Sequence, residues 1–156
     1  MGTRLAKEVR VTLKEIRCSK VGDDDGDTLE IYGHLDALGV FVDAQGIFQP
    51  GFTGTLWHHQ DNDVVRMAET NQLFPNKSAT FLVFENDFLW VGGHLKEDDD
   101  FNEDDEMGIR HERILYKNIA STGSGHVSVK FNQSGQAVET KFGIEVLRDN
   151  FLVPVP

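Results

Sequence analysis

Cysteine is nearly absent: Cys18 is the only one in 156 residues. That excludes an internal disulfide framework and leaves the redox setting open. Also missing is any run approaching the roughly 18–20 continuous apolar residues of a membrane-spanning helix. The opening Met1-Gly2-Thr3-Arg4-Leu5-Ala6-Lys7 has none of the apolar character of a secretory leader. There is no basic stripe to neutralise phosphates, so nucleic acid is not expected as a partner. No window of roughly 11–18 residues carries a sustained helical stripe. The common catalytic signatures are lacking as well: no glycine-rich phosphate cradle, no nucleophile elbow, and no evident histidine partner for Cys18. An enzyme is therefore not expected.

What the chain does have is a strand-like period and enough apolar material for a core. Hydrophobic residues make up 39%, with 11 phenylalanines, so one domain over residues 1–156 is expected, ordered from about 8 to 150. Val9, Val11 and Leu13 alternate with Arg10, Thr12 and Lys14, the mark of a half-buried strand running to about Ile16. Further strands are predicted over residues 28–35, 39–43, 53–57, 64–68, 79–84, 88–94, 111–116, 126–131 and 137–147, the last two forming a hairpin. Residues 48–57 read as a loop with exposed aromatics, and the Val-Pro-Val-Pro end as an extended tail that frays. With 15 glycines between short strands, the pattern predicts an all-β antiparallel sandwich of about eight strands.

The charge is uneven. Asp23, Asp24, Asp25, Asp27 and Glu30 fall within eight residues; Glu97, Asp98, Asp99, Asp100, Glu103, Asp104, Asp105 and Glu106 fall within ten. These segments hold 13 of the 26 acidic residues and no lysine or arginine, leaving a body of net +2. A charge serving only solubility would be spread more evenly. Close like-charged pairs in exposed loops each cost on the order of a few tenths to 1 kcal/mol after screening, and a divalent cation reverses that sign. Calcium suits an all-oxygen set because it takes six to eight oxygens in flexible geometry, whereas zinc or copper would want histidine or cysteine. The EF-hand pattern fails: counting from Asp23, Asp25 and Asp27 fit, but Thr28 stands where glycine is required and His34 where glutamate is.

Residues 88–108, FLWVGGHLKEDDDFNEDDEMG, resemble the third calcium loop of the C-two family, the calcium-dependent lipid-binding sandwiches of synaptotagmins and conventional protein kinase C. There an apolar strand leads into Asp-x-Asp-x5-Asp, then two residues and a glycine; Glu97, Asp99, Asp105 and Gly108 keep that spacing. The family's first calcium loop, Asp-x5-Asp-Pro-Tyr, is matched by Asp24 and Glu30 followed by Ile31-Tyr32. Glu30 and Glu97 replace aspartates and Ile31 replaces the proline. A second register, Asp98 and Asp100 with Glu106, has the same spacing. The motifs cover about 30 residues. The resemblance implies a Greek-key sandwich with calcium ligands Asp24, Glu30, Glu97, Asp99 and Asp105, an anionic membrane surface as partner, and Phe101 or else Phe48, Phe52 and Trp57 at inserting loop tips. A larger parent protein, or a protein or glycan ligand, is the alternative partner. Affinity for calcium in the range of about 10⁻⁵–10⁻³ M is expected if the module works at the cell surface or outside it.

Other candidates weigh less. His58 and His59 with Asp61 and Asp63 suggest a transition-metal site, but adjacent strand residues point to opposite faces and no third ligand is evident. His94 is expected to be a hydrogen-bonding group beside the acidic run, and Trp57 and Trp90 strand or core aromatics.

Overall fold

A computed structural model describes residues 2–22, 28–98, 104–119, 124–133 and 135–155. Ten antiparallel strands and one 3-10 turn account for nearly all of them: β1 (Gly2–Val21), β2 (Thr28–Val42), β3 (Phe48–His59), β4 (Val65–Ala68), β5 (Gln72–Leu73), β6 (Lys77–Phe84), β7 (Phe88–Glu97), β8 (Asp105–Leu115), the turn Tyr116–Asn118, β9 (Ser124–Gln133) and β10 (Gln136–Val155). One sheet runs β6-β1-β10-β9, with the short β5 also on β1; the other runs β3-β2-β7-β8, with the short β4 also on β2. The two sheets form the expected all-β sandwich, with eight long strands and two short ones. Among the described residues, no helix is long and apolar enough to cross a membrane.

The alternation that identified β1 also builds the core. Val9, Val11 and Leu13 are fully buried, and a bulge between Leu13 and Glu15 then shifts the parity so that Ile16 and Cys18 point inward. They meet Leu29, Ile31, Leu35, Leu89, Leu95, Met107, Phe131 and Phe142 from both sheets. Each such side chain contributes about 1.5–3 kcal/mol on burial. The thiol of Cys18 is pushed up, first by burial and then by Glu69, so it behaves as an inert core group.

Three expectations are corrected. The expected strand at 53–57 is present, but residues 48–52 before it are not a loop and belong to the same strand, β3, at an edge of its sheet. Of the strand expected at 39–43, residues 39–42 continue β2 rather than forming a separate strand. The C-terminal segment does not fray: Leu152, Val153, Pro154 and Val155 pair with Leu5, Arg4, Thr3 and Gly2. Close approach is decisive at two glycines. A Cβ on Gly93 would lie 2.0 Å from the carbonyl oxygen of His34, and one on Gly54 only 2.4 Å from Cβ of Ala79 in the facing sheet.

Candidate functional site: the acidic pole

The strands that flank the two acidic segments are neighbours. Glu97 at the end of β7 stands opposite Ile31 near the start of β2 and, on its other side, opposite Asp105 at the start of β8. The amide of Asp98 donates to the carbonyl of Glu30 at 2.8 Å. Residues 28–31, 97–98 and 104–105 therefore stand at the same end of the same sheet. The β9–β10 turn lies there too, where a Cβ on Gly135 would come within 3.8 Å of Gly22.

The side chains follow from strand parity. Glu30 faces the surface, and Arg66 on β4 reaches its carboxylate at 3.2 Å; Arg66 is 71% exposed, so this pair is worth no more than about 1 kcal/mol. Glu97 faces inward and is only 2% exposed. Asp105 is half-buried opposite it. Asp24 and Asp99 lie outside the described residues, as do Asp100 and Phe101 of the alternative proposals. Among the described residues, no three or more histidine, cysteine, aspartate or glutamate side chains are arranged to hold a metal ion. Those that stand at the pole, Glu30, Glu97, Asp98, Asp104 and Asp105, offer only oxygen, the donor chemistry of a hard cation.

Tyr32 is the residue the sequence did not single out. Its hydroxyl donates to the Asp104 carboxylate, tying β2 to the base of the 98–104 segment. The phenol's pKa is raised by burial first, then by the bond to Asp104 and by the charges of Asp104, Asp61 and Asp98. Asp61 comes from the β3–β4 connection, so a third segment adds negative charge to the pole. The signal was present in Tyr32 following Glu30 by two residues, but using it required the β2-β7-β8 order. Glu106 of the second register is held by His94 and stands 3.9 Å from Lys96. His94 is thus the hydrogen-bonding group expected of it.

Next to the pole, on the same sheet, lies a concavity of about 360 Å³ bordered by Tyr32, His34, His58, His59, Asp61 and His94. His59 turns onto the Trp57 ring, centroids 4.7 Å apart, and bonds Asp63 through Nδ1. His34 bonds Asp36 at 2.5 Å and meets the His94 ring edge-on at 6.2 Å. His111 is held below the usual histidine range, mainly by burial, with His34 adding to the shift and Asp36 opposing it.

The candidates for an inserting tip divide. Trp57 is buried at 9% exposure, a core aromatic and no tip. Phe48 is 48% exposed but opens β3 at the far end of the molecule, opposite Val42. The length of β2 separates it from Glu30 and Glu97. Nothing is described of the Phe52 side chain.

No protein-family model matches the chain, and no curated protein does. Solved structures do. The C-two domain A of plant extended synaptotagmin 1 aligns over 93% of this chain and 95% of its own, with TM-score 0.45 and 8% identity. Human GIVD cytosolic phospholipase A2 aligns over 96% of this chain, with TM-score 0.45 and 15% identity, but the chain spans only 17% of that protein. A CC2D1B structure aligns over 96% of this chain and 63% of its own, with TM-score 0.44 and 7% identity. The two-sheet architecture of the sandwich rests on the strand pairing itself.

Proposed function

We propose that the chain is a calcium-dependent binding module that attaches to a membrane or cell surface through its acidic pole, with Asp24, Glu30, Glu97, Asp99 and Asp105 as ligands. The observation that carries this reading is the pairing of Ile31 with Glu97 and of Glu97 with Asp105, which gathers the flanks of both acidic segments at one end. Calcium there cancels the mutual repulsion of the carboxylates, orders the segments around it and turns a negative surface into one that attracts anionic headgroups. The chain's own part is to set Glu97 and Asp105 opposite each other on the inner face of the sheet end, with Glu30 one residue from the Glu97 partner on the outer face, while Tyr32 holds Asp104. Arg66 is a resident competitor for Glu30.

Calorimetric calcium titration tests the metal. Heat is expected from the unaltered chain and little from Asp99→Asn/Asp105→Asn, while Arg66→Gln tightens binding about two- to fivefold by freeing Glu30. Equal heat from the unaltered chain and the double variant sinks the ligand assignment. Cosedimentation with anionic vesicles tests the attachment: a calcium-induced gain in binding is expected, and its absence leaves only the metal.

A second reading has one observation in its favour. The pole already carries internal clamps, Arg66 on Glu30, His94 on Glu106 and Tyr32 on Asp104. Calcium that merely adds another clamp makes this a structural, protein-binding or glycan-binding sandwich, stabilised by mass action without any gain in lipid binding.

A further inference from the structure

The end opposite the acidic pole has a different character. In a chain whose residues are 26% charged, Asp43 is the only formally charged side chain between Asp36 and Asp61. That stretch is the end of β2, the hairpin tip and nearly all of β3. Even Asp43 is turned to internal use: its Oδ1 accepts the amides of Gln45 and Ile47, both at 2.9 Å, and its backbone closes the tip through Gly46 and Ile47. The tip so formed exposes Phe41 at 40%, Ile47 at 58% and Phe48 at 48%. Three large apolar side chains around one hairpin tip, Phe41 and Phe48 on opposite faces of it, are more than scattered surface hydrophobics.

Behind the tip the sheets part. A cavity of about 370 Å³ opens between Gly39 and Phe41 of β2 and Leu82 and Phe84 of β6, with Phe88 beside it. Farther along β3 the sheets meet again at Gly54 and Ala79. Two guanidinium groups stand over the rings at its rim, Arg4 over Phe84 at 5.0 Å and Arg113 over Phe88 at 5.5 Å. The Phe88 ring also takes Phe48 edge-on at 5.0 Å. Arg4 is paired with Asp87 at 3.1 Å, which neutralises the one carboxylate on the cavity wall. Arg113 forms no ion pair among the described residues. An uncharged tip, an apolar cleft and an uncompensated cation behind them form the sequence of chemistries met on entering an anionic bilayer from its hydrocarbon outward.

We propose that the β2–β3 hairpin is a calcium-independent lipid anchor: Phe41, Ile47 and Phe48 enter the bilayer interface, the cleft behind them accepts an acyl chain, and Arg113 meets the lipid phosphate. This surface is separate from the acidic pole and does not rest on calcium binding there.

The test uses the full chain in EGTA with phosphatidylcholine vesicles, with and without phosphatidylserine. Binding to the phosphatidylserine vesicles is expected, reduced about tenfold or more by Ile47→Ser/Phe48→Ser and several-fold by Arg113→Gln. Phe74→Ser, which alters a side chain 61% exposed elsewhere on the surface, leaves it unchanged. Thermal melts establish that each variant is folded. Failure to bind in EGTA, or equal loss with Phe74→Ser, overturns the proposal. So does hairpin-dependent self-association in sedimentation velocity without vesicle binding, which makes the occupant a second copy. Because Asp99→Asn/Asp105→Asn abolishes only the calcium-induced increment, failure here and failure of the calcium reading give different patterns.

Discussion

Tyr32 shows how one side chain joins distant parts of the chain. Its hydroxyl reaches Asp104, and its phenol senses Asp61 and Asp98. A raised folded-state pKa means that the neutral phenol is favoured by folding. The resulting stability is fully present below the ordinary tyrosine value near 10 and is lost as pH rises through the folded value. Tyr116, the other tyrosine, is also raised, by burial and then by Asp149 and Glu85. A spectrophotometric titration is therefore expected to show little phenolate at about pH 10 in the folded protein and ionisation of both tyrosines coupled to unfolding at higher pH. Ordinary titration of either ring in the folded state contradicts this. The Tyr32–Asp104 bond was invisible in the sequence because its two ends are 72 residues apart.

At the level of elements, legibility followed packing. β1 and β9 were readable from alternation, β7 from its aromatic and branched residues, and the first part of β10 from the hairpin that joins it to β9. The first part of β3 was not, because Pro50 and Gly51 are turn residues by preference, although an edge strand tolerates proline; residues 53–57 were readable as a strand, with Gly54 placed where it presses on Ala79. The start of β8 was hidden in the acidic run, since an edge strand with mostly exposed side chains gives little alternation to read. Residues 2–7 of β1 depend on β10, whose partner positions lie at the other end of the chain. Gly93 sits in β7, between β2 and β8, where the His34 carbonyl leaves no room for a methyl group. Gly93→Ala is expected to cost on the order of 3 kcal/mol through overpacking and backbone strain. In urea the midpoint falls while the slope stays constant; an unshifted midpoint contradicts the packing argument.

For the whole molecule, the sequence showed that negative charge is concentrated but not where the apolar tip lies relative to it. That relation is carried by β2, which begins at Thr28 beside the acidic segments and ends at Val42 in the hairpin. Fifteen residues at about 3.3 Å each make it a spacer of roughly 50 Å. If each end engages a bilayer end-on, the two bilayers are different ones, and the strand length sets the width of the gap between them. Adding calcium to vesicles already coated with the protein is then expected to cluster them, measured as a rise in turbidity that EGTA reverses. Coated vesicles that stay dispersed in calcium would mean that the two ends never act at once.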